Sequence, residues 1–336
     1  MASAELAYFT ERIERLRAEV GKVLVGQQAV VDGVLACLVA DGHVLLEGVP
    51  GLGKTLLVRT LAQCLGLTYR RIQFTPDLMP ADIVGTHILN EDEAGRRTME
   101  FQHGPVFTQI LLADEINRAT PKTQSALLEA MQERQVTISG ASHPLPRPFF
   151  VMATQNPLEM EGTYPLPEAQ LDRFFYKVMV PFPTLEELVE VMARTTGNVK
   201  QDVQPVITPD ELARMRHTVR EVAIAPEVMQ YAMRVLLATH PDLPSGSQTA
   251  RQYLRYGASP RGAQTLILGG RVNALMNGRE HVGFADVRAA AVPALRHRIG
   301  RSFEAEAEGL ETDVLVKKIL DEVPEVTGAV ARELRA

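Results

Sequence analysis

The sequence predicts an α/β domain built on a parallel sheet covered by helices on both faces, followed by a smaller all-helical domain. Three observations carry this expectation. Short apolar runs alternate with helical stretches as far as Val180, the pattern of strands joined by helical crossovers. One run ends in a glycine-rich turn that opens a helix, Gly48 to Thr55. Beyond Val180 the apolar runs cease, and helical periodicity continues to about Arg298.

Each element has its own signal. Leu6, Phe9, Ile13, Leu16 and Val20 recur at near-helical spacing with charged residues between them, and a second helix follows from about Gln28 to Val39. His43–Glu47 is a short apolar run before glycine, as a buried parallel strand requires. Comparable runs lie at Tyr69–Phe74, Ile110–Ala113, Phe149–Ala153 and Tyr176–Val180. Helices fill the intervals at Lys54–Leu65, at Pro121–Gln132 and before Arg173. Two segments break the rhythm and read as hairpin insertions. Gly85–Gln102 turns across Asn90–Gly95, and Gln135–Arg147 turns at Ser139-Gly140.

Thr184-Leu-Glu-Glu187 and Thr208-Pro-Asp-Glu211 are capping boxes, each announcing a helix start. Further helices are expected at 211–220, 227–238, 261–276 and 284–297, with a loop holding at most a short helix between His240 and Ser259. A last helix spans about Glu311–Asp321. The expected division is an α/β domain over 1–200, a helical domain over 201–300 and a helical tail over 301–336.

Composition bounds the function classes. The 336 residues suffice for two domains, and 46% hydrophobic with 23% charged residues is an ordinary globular mix. A net charge of −6 argues against a protein that coats nucleic acid, although a local basic channel stays open. The two cysteines, Cys37 and Cys64, sit in apolar runs and read as buried thiols. No apolar stretch reaches the ~20 residues of a membrane span, and the charged start from Glu5 to Glu19 does not resemble a signal peptide. The expected location is the cytoplasm. The eight histidines show no H-x-x-x-H pair, which argues against a protein-built metal site.

The chemistry concentrates in a few segments. Gly48-Val49-Pro50-Gly51-Leu52-Gly53-Lys54-Thr55 matches G-x-x-x-x-G-K-[ST] at every required position, and Leu56 continues into the helix. In this motif backbone N–H groups surround phosphate oxygens, the lysine reaches the β/γ phosphates and the hydroxyl of Thr55 ligates Mg²⁺. Ile110-Leu-Leu-Ala-Asp114-Glu115 is an apolar strand ending in two carboxylates. A strand parallel to the first delivers them to the same sheet edge, with Asp114 on Mg²⁺ and Glu115 polarising the attacking water. Asn156, ending another apolar strand, is placed to bond the γ-phosphate or that water, although Asn-Pro is also an ordinary turn signal. Arg173 in Leu-Asp-Arg-Phe174 reads equally as a surface arginine beside its carboxylate, and Arg261 in Ser-Pro-Arg as an ordinary helix start.

The order of these segments resembles the AAA+ ATPases. The wording of Val25-Gly26-Gln27, Gly48–Thr55, Ala113-Asp-Glu-Ile-Asn-Arg-Ala119, Leu127-Leu-Glu-Ala-Met131 and Ala153-Thr-Gln-Asn-Pro157 resembles the MoxR branch, over roughly residues 5–300. The two hairpins fall where one AAA+ clade carries its insertions. The resemblance implies that Val25 and Gln27 lie near adenine, that Asn156 is sensor 1, that Arg173 is an arginine finger offered to a neighbouring subunit, and that Arg261 is sensor 2 from a helical lid. It also implies ATP with Mg²⁺, a homo-oligomeric ring of six, and remodelling or maturation of protein partners, often ones carrying von Willebrand factor A domains. Glu91, Asp92 and Glu93 read as a solvated turn or as a client-facing tip, since such hairpins lie near the pore in related rings.

Rival readings are a nucleic-acid motor, a non-catalytic nucleotide switch, a small-molecule kinase and a metal-chelatase motor subunit. The acidic balance counts against the first, intact Glu115 and Asn156 against the second, and a helical lid carrying Arg261 against the third. The fourth is a close relative that the residues do not separate.

Overall fold

Phe9, Ile13, Leu16 and Val20 are buried along one face of helix α1 (Ser3–Val23), as their spacing requires. The computed structural model describes residues 3–91, 97–157, 162–197 and 202–326. Helix α2 (Gln28–Val39) follows, then strand β1 (Val44–Glu47), helix α3 (Lys54–Cys64) and strand β2 (Tyr69–Gln73). A short helix α4 (Pro80–Val84) leads into the hairpin β3 (Gly85–Glu91) and β4 (Arg97–His103). Strand β5 (Ile110–Asp114), helix α5 (Pro121–Glu133) and the hairpin β6 (Gln135–Ile138) and β7 (Ala141–Pro144) come next. Strand β8 (Phe150–Gln155), helix α6 (Glu168–Leu171) and strand β9 (Tyr176–Met179) complete the α/β part.

The five-stranded sheet is parallel throughout, in the order β2-β5-β8-β1-β9. Alternation divides its side chains between two cores. Val44, Leu46, Ile110, Leu112, Phe150 and Met152 join α1, α2, α3 and the helical domain on one face. Leu45, Leu111, Ala113, Val151 and Ala153 join α5 and the hairpin bases on the other. The carboxyl ends of the strands therefore meet along one edge, at Glu47, Gln73, Asp114, Gln155 and Met179. Both hairpins form where expected. Ser139 and Gly140, at φ 51° and 83°, make the two-residue turn of the second. Asp92 and Glu93 of the first lie outside the described residues.

Helix α7 (Leu185–Thr195) starts at its capping box: Glu187 N–H donates to Thr184 Oγ1 at 3.3 Å, and Thr184 N–H to Glu187 Oε2 at 2.9 Å. The second box opens α8 (Pro209–Glu221) in the same way. Contrary to expectation, strands continue past Val180. Strand β10 (Ala223–Ile224) precedes α9 (Pro226–Ala238), α10 (Gln248–Tyr253) and β11 (Leu254–Tyr256). Then come α11 (Pro260–Met276), β12 (His281–Val282), α12 (Phe284–Leu295), β13 (Gly300–Arg301), α13 (Phe303–Ala307) and α14 (Thr312–Glu322). Strand β10 pairs with β12, and β11 with β13. Segments of two or three residues carry no readable period, so only the fold reveals them.

The helical domain shares a core with the sheet's first face, where α11 packs on α1 and α2 and α12 packs on β9. Gly269 permits this approach, because a Cβ there would stand 2.2 Å from the Tyr176 hydroxyl. Leu315, Val316, Ile319 and Leu320 of α14 are buried where that helix packs on α9, α10 and α12. Cys37 and Cys64 are buried thiols, as expected, and burial pushes both up, Cys64 to about 12.

Candidate functional site: a phosphate loop and a distant arginine pair

The loop from β1 to α3 carries Gly48, Val49, Pro50, Gly51, Leu52 and Gly53. Gly53 caps α3 at φ 77°, a left-handed conformation that suits glycine and turns the first helical N–H groups into the loop. Of these, Pro50, Gly51 and Gly53 form one wall of a cavity of about 370 Å³, which Lys54, Thr55, Leu56, Arg71, Asp114, Glu115 and Asn156 also line, whereas Gly48, Val49 and Leu52 do not. The phosphate loop, the acidic pair and Asn156 thus converge, as the topology requires of strand ends on one edge. Lys54 Nζ donates to the Gly48 carbonyl at 2.6 Å across the loop. Burial holds its ammonium below the ordinary lysine range, against the pull of Asp114, Glu115 and Glu47.

Asp114 is buried at the end of β5. Its Oδ1 accepts from Thr154 Oγ1 at 2.6 Å, and its Oδ2 accepts from Arg71 Nη2 at 2.6 Å and Nε at 3.1 Å. The same Thr154 oxygen accepts from the Glu115 N–H at 2.8 Å, so one hydroxyl ties both acidic residues to β8. Glu115 takes a left-handed conformation, φ 56° and ψ 49°, ahead of the single 3₁₀ turn Ile116–Arg118. Such backbone in a non-glycine residue costs about 1–3 kcal/mol and aims the side chain away from the strand direction. Its Oε2 accepts from Gln73 Nε2 at 2.7 Å and from Arg118 Nη1 at 2.9 Å. The motifs do not reveal Arg71, Gln73, Thr154 and Arg118 as members of the site. Arg71 and Gln73 alternate along β2, and only that spacing, beside a strand end, hints at them.

The donor set suits a hard divalent cation. One hydroxyl at Thr55 and one carboxylate at Asp114 leave the remaining positions to phosphate and water, the mode Mg²⁺ prefers. Val25 and Gln27 stand apart from the cavity wall. Gln27, left-handed at φ 52°, donates from Nε2 to the Leu52 carbonyl at 3.2 Å and so braces the loop from outside. Val25 is half-buried two residues before it.

Arg173 and Arg261 lie elsewhere. They share a small cleft of about 120 Å³ with His43, Met131 and Gln132. His43 precedes β1 and Arg173 precedes β9, so this cleft is at the amino edge of the sheet, opposite the phosphate loop. Strands of four to six residues at ~3.3 Å each separate the two edges by roughly 13–20 Å. Arg173 Nη1 donates to the Leu128 carbonyl at 2.8 Å. Arg261 Nη2 donates to Gln132 Oε1 at 3.4 Å, and its Nη1 stands 3.7 Å from Asp172 Oδ2. The helical domain grips Asp172 further through Ser259 Oγ, at 2.8 and 2.9 Å, and through Arg298 Nε at 2.8 Å.

A five-stranded parallel sheet with a phosphate loop, an acidic pair at the end of the next strand but one and a helical lid defines an AAA+ ATPase. The family described as "ATPase family associated with various cellular activities (AAA)" matches residues 43–176, and the "AAA lid domain" matches residues 247–319. Among relatives, Chaperone MoxR1 of Mycobacterium tuberculosis is 42% identical over 318 residues, covering 95% of this chain and 83% of that one. Protein MoxR of Paracoccus denitrificans is 32% identical, covering 92% of this chain and 94% of that one. A crystal structure from Cytophaga hutchinsonii superposes with a TM-score of 0.88 at 41% identity, covering 96% of this chain and 97% of that one. The chain belongs to the MoxR family of AAA+ ATPases.

Proposed function

We propose that the protein hydrolyses ATP in a ring of identical subunits, each supplying Arg173 and Arg261 to its neighbour's phosphate loop, and that the resulting motion remodels a protein partner in the cytoplasm. The placement of both arginines on the sheet edge opposite the loop carries this reading. Within one chain the intervening strands hold them away from the phosphates, whereas a neighbour docked head to tail brings its amino edge to the loop.

In this reading the backbone N–H groups of Gly51 and Gly53 and the Lys54 ammonium cradle the triphosphate, while Thr55 and Asp114 hold Mg²⁺. When bound, Mg²⁺ neutralises charge on the β and γ phosphates. Glu115 exchanges its bonds to Gln73 and Arg118 for one to the attacking water and takes its proton. Asn156 orients that water or a γ-phosphate oxygen. The neighbour's guanidinium groups then meet the charge on the transferring phosphoryl group, an effect worth ~10³–10⁵ in rate elsewhere. A ring of six and a client with a von Willebrand factor A domain are the finer form of the proposal. The name chaperone borne by the mycobacterial relative supports a protein client. Among the described residues no helix is long and apolar enough to cross a membrane.

Subunit mixing tests the central point. Arg173→Ala and Lys54→Ala should each abolish turnover, and their mixture should recover it wherever an intact Arg173 faces an intact loop. A mixture that stays silent despite proven exchange would assign Arg173 to its own chain. A Glu115→Gln trap, used as bait in the source cell, tests the client: nucleotide-dependent capture of one protein supports remodelling, and capture of nucleic acid alone overturns it.

A further inference from the structure

Helix α7 is amphipathic, yet none of its residues is buried. Its inner side lies over the end of α1 and the Gly26 turn. Arg194 Nη1 donates to the Gly21 and Lys22 carbonyls at 3.0 Å each, and a Cβ on Gly26 would collide with the Glu187 carboxylate. The opposite side carries Leu185, Val189 and Met192 one helical turn apart, continued by Phe182 just ahead of the helix. These side chains are 72%, 63%, 51% and 69% exposed, respectively. Four large apolar groups in register form a contiguous patch, which marks an interaction surface.

The position of the patch selects its occupant. Chain leaving β9 passes Val180, whose carbonyl stands 2.8 Å from where a Gly48 Cβ would be, and reaches α7 five residues later. Helix α7 therefore starts beside the phosphate loop, and its last turn, Arg194 and Thr195, shares a pocket with Leu56, which also lines the phosphate cavity. We infer that the outer face of α7 is a subunit interface, covered by the arginine edge of a second copy of this chain as that copy offers Arg173 and Arg261 to the loop. The inference rests on the proposed sharing of arginines, because a body that delivers them to this loop must lie over the adjoining helix. The arginine edge has an apolar counterpart. Arg255 of β11 bonds Glu168 of α6 at 2.8 Å, a few residues before Arg173, and β13, which pairs with β11, leads into α13, whose first residue Phe303 is 84% exposed. An apolar stripe on one edge and an exposed phenylalanine on the other make a heterologous pair of surfaces, the kind that closes into rings.

The test is the double variant Leu185→Glu with Val189→Glu, beside Met192→Glu as a milder probe. Sedimentation with a non-hydrolysable ATP analogue should show wild type assembling, the double variant as monomers, and Met192→Glu shifted at least tenfold in the concentration needed. The double variant keeps an intact arginine edge. Mixed with Arg173→Ala, which keeps an intact α7 and loop, it should form pairs and restore turnover, and a misfolded chain cannot do so. Assembly equal to wild type overturns the inference. So does a silent mixture when the Lys54→Ala and Arg173→Ala mixture is active, because the shared-arginine reading then stands while the α7 interface falls. If that reference mixture is itself silent, the shared-arginine reading fails first and the inference falls with it.

Discussion

Arg298 of the helical domain donates from Nε to Asp172 Oδ1 at 2.8 Å, one residue before Arg173. Its other nitrogens donate to the carbonyls of Asp172, Phe174 and Phe175 on one turn of the sheet domain, and Nη1 also donates to the Ala294 carbonyl of its own helix. Burial lowers the Arg298 pKa, and Asp172 opposes that shift. The helical domain thereby grips the residue that precedes the proposed finger.

Removing one partner of such a pair leaves a buried charge uncompensated, at about 3–5 kcal/mol. Asp172→Ala is expected to lose about that much in denaturant unfolding. Arg298→Met should cost less, and the double variant less than the two single costs added, since contacting residues couple. Strict additivity would show that the ion pair does not link the domains.

Glu115→Gln should retain nucleotide binding and lose turnover by ~10²–10⁴-fold, because Lys54, Thr55 and Asp114 stay in place while the base is gone. Lys54→Ala should instead weaken binding itself. Equilibrium binding of a fluorescent ATP analogue and steady-state phosphate release on one preparation separate the two outcomes.

Mixing Arg173→Ala with Arg261→Ala distinguishes a shared arginine edge from a divided one. If both groups leave the same chain for the same neighbouring loop, every interface lacks one of them and the mixture stays inactive. If Arg261 served its own loop, an interface with Arg173 from one chain and Arg261 from the other would recover full activity. The common cleft with Gln132 predicts silence.

The fold should weaken in mild acid. His43 is buried, its Nδ1 accepting from the Val151 N–H at 3.1 Å and its Nε2 donating to the Met131 carbonyl at 3.2 Å, and burial lowers its pKa to about 4. Burial holds His297 well below its ordinary value too. Because the unfolded imidazole binds its proton near 6.5, the unfolded state takes up more protons between those values. Stability is therefore complete above about pH 6.5 and falls as pH drops toward 4, by about 3 kcal/mol from His43 alone. Denaturation midpoints at pH 7.5 and 5 should differ in that direction in wild type and by less in His43→Gln. An unchanged midpoint would remove His43 from this role.

The phosphate loop was legible because its eight residues are contiguous: glycine placement, the preceding strand and the following helix determine its shape locally. Asp114, Glu115 and Asn156 were legible for a related reason, since each ends a readable strand and parallel strands share one carboxyl edge. The four short strands of the helical domain were not, because two or three residues hold no period. Nor were Arg71, Gln73, Thr154 and Arg118, which reach the acidic pair across neighbouring strands and a turn. The larger decision belonged to the tertiary structure alone. Arg261 opens an ordinary helix, and nothing near it in sequence states which sheet edge that helix will face. Docking of α11 against α1 and α2, with Gly269 closing on Tyr176, places Arg261 beside Arg173 and away from the chain's own phosphate loop. A residue's local pattern encodes its element, whereas its partners follow from the burial of surfaces that are far apart in the chain and meet only on folding.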